Sequence, residues 1–204
     1  MILFILNLLK YILQEILDTI ISYPFYLLFN KELKIKRRIK RKKISLINNI
    51  SNKKYYRFKG KVEAYQGELN APLSQENCIG YQVESTFFRN LEDEASEINE
   101  KCVPFYLVDA NNDKILVATQ SAQIAFNKTN KYKTNLFGKN DENIKNFLNQ
   151  FELRESFLGM NKVYKFEEGL IKEGDTIDIL AYVEPTENLL KARGSKDIYI
   201  TNML

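Results

Sequence analysis

The sequence predicts a mainly β domain, a small barrel-like or strongly bent antiparallel sheet with one or two helices, preceded by an N-terminal membrane-associated α-helix. Two observations predict this. Short runs that alternate apolar and polar residues recur after residue 54, which is typical of half-buried strands. Before residue 31 the chain is far more apolar than anywhere later. We therefore divide the 204 residues into an anchoring helix (1–30), a basic segment and linker (31–54) and a β domain (55–204).

The strand-like runs are separated by turn signals such as Asn70-Ala71-Pro72 and Asn111-Asn112-Asp113. We predict strands at residues 56–65, 80–88, 103–108, 115–117, 162–167, 176–183 and 198–201. Residues 141–151 instead carry apolar side chains at helical spacing, behind an Asn140 or Asp141 cap. One helix is therefore expected among the strands.

Segment 1–30 predicts a membrane-bound helix. Asn7, Lys10, Gln14, Asp18 and Ser22 recur every three or four residues and share one helical face, opposite an apolar face. Charges near the centre of a spanning helix cost about 2.5 to 3.5 kcal/mol each, so whether the helix spans or lies on the membrane stays open. Pro24 bends or ends it. The residues predicted to contact the membrane are Ile5, Leu9, Ile12, Leu13, Ile16, Ile20, Phe25, Tyr26 and Phe29.

The charge is strongly uneven along the chain. Residues 1–43 carry ten basic and three acidic side chains, a net charge of +7, whereas residues 44–204 carry twenty basic and twenty-three acidic ones, a net charge of −3. A basic cluster beside an apolar segment is attracted to anionic lipid and keeps its flank cytoplasmic. The residues predicted to contact anionic lipid are Lys31, Lys34, Lys36, Arg37, Arg38, Lys40, Arg41, Lys42 and Lys43. The sequence thus predicts a membrane-associated protein whose β domain is cytoplasmic.

Other interpretations of this arm remain open. An amphipathic helix is more often a core helix of a soluble domain than an anchor. The basic run would also neutralise nucleic-acid phosphates without sequence preference. A third hypothesis is a membrane-disrupting effector, which predicts dye leakage from vesicles exposed to the peptide 1–43.

Composition argues against catalysis. The chain has no His and two Cys, so it lacks Ser-His, Cys-His and His-metal chemistry and a four-ligand Cys/His zinc site. Glu167, Glu168 and Asp175 resemble paired carboxylates but have no activating neighbour in the sequence. Residues 109–113 begin like a calcium loop, yet Lys114 and Gln120 occupy its Gly and Glu positions. We expect no enzyme activity, no cofactor and no metal.

Three further features have mainly structural interpretations. Cys78 and Cys102 are expected to be inert thiols, with a redox pair as the alternative. Acidic residues 91–101 suggest a solvated loop or short surface helix, or a docking site for a basic partner. Residues 128–139 interleave Lys with Tyr132 and Phe137, which suggests a flexible loop or a nucleic-acid groove.

Three blocks resemble the GIDE-type domain, also called the BAM (beside-a-membrane) domain, of MULAN/MAPL-like membrane RING ubiquitin ligases and their prokaryotic relatives. They are GKVEAYQGELNAPLSQENCIGYQVE (60–84), VPFYLVDANNDKILV (103–117) and YKFEEGLIKEGDTIDILAYVE (164–184). The matching motif residues are Gly60, Leu69, Pro72, Leu73, Cys78, Tyr81, Pro104, Phe105, Asp109, Glu167, Leu170, Gly174 and Asp175. The resemblance covers about residues 55–185 and implies a domain set beside a membrane segment.

The chain departs from the family where the ligase activity resides. A RING needs eight Cys or His ligands, and this sequence has two Cys in total. The family's second membrane segment is also absent, and Ala181 stands where a Gly is usual. The sequence therefore predicts a non-catalytic interaction or sensing module that binds anionic lipid and an unknown protein partner.

Overall fold

The computed structural model describes residues 30–51, 53–88, 94–135, 139–153, 156–157, 160–161, 163–183, 189–190 and 198–204. The helices are α1 (Lys31–Lys40) and α2 (Glu142–Gln150), with a 3₁₀ turn at Ile47–Asn49. The strands are β1 (Lys54–Ala64), β2 (Leu69–Asn70), β3 (Asn77–Cys78), β4 (Gly80–Phe88), β5 (Glu94–Cys102), β6 (Phe105–Val108), β7 (Lys114–Val117), β8 (Gln123–Ala125), β9 (Lys128–Lys133), β10 (Ser156–Phe157), β11 (Met160–Asn161), β12 (Tyr164–Ile171), β13 (Thr176–Val183), β14 (Leu189–Leu190) and β15 (Tyr199–Thr201).

The main sheet has seven strands in the order β14-β7-β6-β1-β13-β15-β8. β1 and β13 form its centre, antiparallel and paired from Lys54 opposite Val183 to Lys61 opposite Thr176. The inner pairs are antiparallel, whereas the outermost pairs, β14 with β7 and β15 with β8, are parallel. One face of this sheet lies on the larger core, which Phe58, Phe105 and Ile179 help to fill.

The second sheet has four antiparallel strands in the order β5-β4-β12-β9. α2 covers one of its faces, because Ile144, Phe147 and Leu148 recur at helical spacing and are all buried there. The rings of Phe147 and Phe166 pack edge to face with centroids 5.4 Å apart. The helix that the apolar spacing of residues 141–151 predicted thus covers this smaller core.

A buried glutamine joins the two sheets. The Gln82 side chain donates to the Ile124 carbonyl at 3.0 Å and accepts from the Phe126 N–H at 3.1 Å. Because Gln82 is fully buried, these bonds satisfy polar groups that would otherwise be costly inside the protein. Strand β4 of the second sheet is thereby fixed to β8 of the main sheet and to Phe126, which follows it.

The mainly β prediction is confirmed: each strand predicted after residue 54, and the helix predicted at residues 141–151, has an observed counterpart. The barrel interpretation is wrong, since neither of the two larger sheets closes on itself within the described chain, and the β2-β3 and β10-β11 sheets have two strands each. The outer strands of the main sheet, β14 and β8, are only two and three residues long and have different neighbours. Closure needs every strand to pair on both sides, and these strands pair on one.

Two segments contain strands where none was expected: residues 91–101, expected as a loop or short surface helix, and residues 128–139, expected as a flexible loop. Residues 94–102 form β5 and residues 128–133 form β9, the two outer strands of the second sheet. Both lack an apolar alternation because outer strands expose much of their surface: Ser96, Glu97 and Ile98 are all exposed. Alternation of apolar and polar residues identifies a strand only when one of its faces is buried. These outer strands therefore gave no such pattern, and the prediction for both segments was wrong.

No helix in the described ranges is both long and apolar enough to cross a membrane. Residues 1–29 lie outside the described residues, so the predicted anchoring helix and all its membrane-contacting positions stay predictions.

Candidate functional site

The basic residues 31–43, predicted as a segment that contacts anionic lipid, begin with a helix. In α1, the Asn30 side chain accepts a hydrogen bond from the Leu33 N–H at 2.9 Å, which is a normal N-cap. Glu32 lies in the first turn, and Arg37, Arg38 and Lys40 lie in the last. This order of charges complements the helix dipole, so the local sequence favours the helix despite its many like charges.

Two isoleucines attach α1 to the outer face of the main sheet. Ile35 and Ile39 are one helical turn apart and almost fully buried, and they pack against Ala125, Leu180 and Tyr199. Full burial of such a side chain contributes about 1.5 to 3 kcal/mol. The helix is therefore part of the folded domain.

Ion pairs fix the amino-terminal half of α1. Lys31 pairs with Glu100 at 2.8 Å, and Glu32 pairs with Lys128 at 2.6 Å. Lys128 also pairs with Glu84 and is largely buried. Burial lowers the pKa of Lys128, but its hydrogen bonds and charge contacts with Glu32 and Glu84 outweigh this and raise it. This ammonium group stays charged and ties the helix to the second sheet.

A contact between Arg38 and Tyr199 fixes the carboxyl-terminal half of α1. Arg38 donates to the Tyr199 hydroxyl, and its guanidinium carbon lies 5.0 Å from the centre of the same ring. Arg38 and Lys31, both predicted to contact lipid, are thus engaged by the domain itself.

Of the remaining basic side chains predicted to contact lipid, Lys36 is partly buried and the others are exposed. We call the exposed positions the exposed basic row; they are Lys34, Arg37, Lys40, Arg41, Lys42 and Lys43. Lys40, Arg41, Lys42 and Lys43 have no ion pair with any acid in the described part of the chain. Their charges are available to an external anion. Since α1 directly follows segment 1–30, this row lies next to the predicted anchor.

No protein-family model, curated protein or solved structure matches this chain. The resemblance to the GIDE-type domain therefore stays a prediction, and the case for a function rests on the geometry.

The first and third resembling blocks meet in the structure. Leu69 pairs with Cys78 and Asn70 pairs with Asn77, and the turn between these two short strands contains Pro72. Glu168, in β12, is fully buried and accepts from the N–H groups of Leu73 and Ser74 at 3.0 and 3.1 Å. The motif residues of the first block therefore shape a turn that a carboxylate of the third block holds.

The carboxylates considered for catalysis have separate structural partners. Glu167 pairs with Lys131 at 2.9 Å on the exposed face, whereas Glu168 is buried under the turn. Asp175 accepts from the Lys172 N–H at 2.8 Å in a tight turn whose Gly174 has a φ of +84°. These contacts account for all three groups without an acid–base role.

Asp109 organises the hairpin between β6 and β7. Its carboxylate accepts from the N–H groups of Asn111, Asp113 and Ile47, at 2.8, 3.2 and 2.8 Å. Among the described residues no group of three or more Cys, Asp or Glu is placed to hold a metal ion. The three hydrogen bonds place Asp109 in the turn that Asn111-Asn112-Asp113 signals in the sequence.

The remaining motif residues are mainly core or turn positions. Cys78, Tyr81 and Phe105 are buried, Leu170 is partly buried, and Pro104 is exposed just ahead of β6. Gly60 lies against the backbone of Val108, and Leu73 packs in the smaller core.

The two thiols are free and strongly protonated. Burial, with a smaller contribution from the Glu168 charge, raises the pKa of Cys78 to about 11. Burial raises the pKa of Cys102 to about 12. A raised thiol pKa favours the folded state below the ordinary value near 8.5, and this contribution is lost as the pH rises through 11 to 12.

At pH 8 we therefore expect both thiols to react at least about a hundredfold more slowly in the folded protein than in the protein unfolded by urea, because only the thiolate is reactive. The measurement is the rate of reaction with a chromogenic disulfide reagent. Equal rates in the two conditions would show that the thiols are accessible and activated.

Sequence reasoning missed several residues of this site. Ile35 and Ile39 are four positions apart within a basic run, a spacing that does signal a helix face. Lys128, Glu84 and Tyr199 gave no such signal, because their contacts with α1 join distant parts of the chain.

Proposed function

We propose that this chain is a membrane-tethered module that presents its β domain on the cytoplasmic side and acts by binding partners, without catalytic chemistry of its own. The observation that carries the proposal is the exposed basic row. Its Lys34, Arg37 and Lys40 lie on a helix that is docked on the β domain and directly follows apolar segment 1–30, and Arg41, Lys42 and Lys43 continue the row past the end of that helix.

Docking of α1 gives the charges a fixed direction. Ile35, Ile39 and the Lys128 ion pairs hold one side of the helix on the sheets, so Lys34, Arg37 and Lys40, which recur every three residues, share the opposite side. Arg41, Lys42 and Lys43 follow directly at its end. Each Lys or Arg near an anionic leaflet contributes about 1 kcal/mol, and this attraction fades within a Debye length of about 10 Å. A docked basic helix therefore orients the domain as well as attracting it.

The buried acids of the described chain support a binding role. Asp109 and Glu168 are held by backbone N–H groups, and Asp178 pairs with Arg57 at 2.7 Å. Each of these carboxylates is engaged in holding the fold, which favours a module that works through its surface.

The test is flotation of the full chain with vesicles. We expect wild type to float with neutral phosphatidylcholine vesicles through segment 1–30, and more strongly with vesicles containing anionic phosphatidylserine. Replacing Lys40, Arg41, Lys42 and Lys43 by Gln should lower the anionic-to-neutral partition ratio at least about a hundredfold, since four charges near the surface are lost. Replacing Leu9 and Ile16 by Asp should reduce flotation with neutral vesicles.

A matched variant controls for net charge. Gln at Lys101, Lys139, Lys145 and Lys165 removes four positive charges away from α1 and should leave the partition ratio within about twofold of wild type. Failure of the full chain to float with either vesicle contradicts tethering. Retention on single-stranded DNA that weakens steeply with salt, combined with failure to float, would favour the nucleic-acid alternative.

A further inference from the structure

A groove of about 520 Å³ opens beside residues 44–46, which follow α1 and the basic residues at its end. Residues 44–46 form one wall, the start of the β6–β7 turn forms another, and β1 forms the floor around Lys59. Ile44 and Ala110, on opposite walls, are exposed. The volume is within the range of binding sites for small ligands and short peptides.

The floor of the groove offers a free stretch of strand edge. On this side of β1, the Ser45 N–H donates to the Arg57 carbonyl at 2.7 Å, and Lys61 pairs with Val108 of β6. Backbone groups of a strand alternate in direction, so the N–H and C=O of Lys59, midway between these two, face the same side. Within the described residues neither wall supplies a partner for them.

The rim of the groove is basic. Lys59 and Lys61 are exposed, and the wall residue Ile44 directly follows Arg41, Lys42 and Lys43 of the exposed basic row. The carboxylate lining the groove belongs to Asp109, and three backbone N–H groups already bind it. The groove therefore favours an anionic occupant.

The edge geometry distinguishes between anionic occupants. A lipid phosphate accepts hydrogen bonds but has no N–H to donate to the Lys59 carbonyl. A residue of an extended peptide satisfies both the N–H and the C=O of Lys59, as in strand addition, and its carboxylate neighbours reach the lysines. The apolar side chains of Ile44, Leu46 and Val108 suit the alternate apolar residues of such a peptide.

We propose that this groove binds a short, extended, acidic peptide segment of a partner protein by pairing with Lys59 of β1. This inference rests on the proposed function, because it gives the binding module its recognition site. It adds the ligand class and the residues that select it.

The test uses the full chain in nanodiscs of neutral phosphatidylcholine and a fluorescent Glu-Val-Glu-Val-Glu-Val peptide, followed by anisotropy. We expect binding that weakens about fivefold in the Lys59→Gln, Lys61→Gln variant, since two exposed charge pairs are lost. Ala110→Trp, which fills the groove from an exposed position, should weaken it about tenfold or more. The peptide should also slow hydrogen exchange of the Lys59 amide, which attraction by charge alone would not do.

The Lys139→Gln, Lys165→Gln variant is the matched control and should bind like wild type. Unchanged affinity in Ala110→Trp, or unchanged exchange at Lys59, would overturn the proposal. So would an Ala110→Trp variant that loses affinity for phosphatidylserine vesicles but binds the peptide normally, because the occupant would then be a lipid headgroup. A chain that floats with vesicles but does not bind the peptide refutes this site and leaves the tethering proposal intact.

Discussion

Replacing Glu168 by Ala is expected to lower the free energy of unfolding by about 3 kcal/mol. The carboxylate is fully buried and accepts from the N–H groups of Leu73 and Ser74. Without it, two backbone donors of the turn lose their acceptor beneath the surface, and the turn loses its link to β12. Urea unfolding of the full chain in a mild non-ionic detergent, followed by tyrosine fluorescence, measures the change.

The adjacent residue provides a control. Glu167 is on the same strand with the same chemistry, but its side chain is 42 % exposed and pairs with exposed Lys131. Glu167→Ala should therefore change the free energy of unfolding by no more than about 0.5 kcal/mol. Should Glu168→Ala fold too poorly to measure, Glu168→Gln keeps one acceptor oxygen and should lose about half as much. Equal stability of the two Ala variants would show that the buried carboxylate does not hold the turn.

Gly60→Ala is expected to cost about 3 kcal/mol, through crowding of backbone against backbone. A Cβ on Gly60 would lie 2.9 Å from the Val108 carbonyl carbon and closer still to its oxygen. No side-chain rotation relieves this contact, so β6 must move away from β1, to which it is paired at Lys61 and Val108. The same urea unfolding experiment tests it.

Gly67→Ala separates this crowding from the ordinary effect of losing a glycine. Gly67 has a φ of +70° and no atom within 4 Å of an added Cβ, so its replacement should cost about 1 to 2 kcal/mol of backbone strain alone. A Gly60→Ala variant no less stable than Gly67→Ala would mean that β6 shifts without cost.

Alternation and helical spacing predicted the longer strands that lie on a core and the helix α2, but not the short strands β8 and β14, whose Ile124 and Leu190 are also buried in the larger core. Phe58, Phe105 and Phe166, for example, alternate with more exposed neighbours and are fully buried. The method failed at β5 and β9, because an outer strand has no single buried face to leave a pattern in the sequence. It also failed to show that the sheets stay open, since closure depends on which strands become neighbours.

The candidate site was predicted in composition but not in geometry. The run of basic residues 31–43 was evident, and its lipid contact remains a prediction. The groove at Lys59 could not be foreseen, because it arises where residues 44–46 and β6 stop short of one another along β1. Gaps of this kind depend on long-range pairing and leave no local signal.

By itself, the sequence determined where the charge lies, which chemistry the chain lacks, and that a β domain follows an apolar, basic arm. These properties are set by residue type and short-range order. Only the tertiary structure decided that the basic arm contains a helix fixed to the domain, with Lys31 and Arg38 turned to the protein and the exposed basic row turned outward. The physical reason is that Ile35 and Ile39 are buried by Leu180 and Tyr199, residues more than a hundred positions away that only folding brings to them.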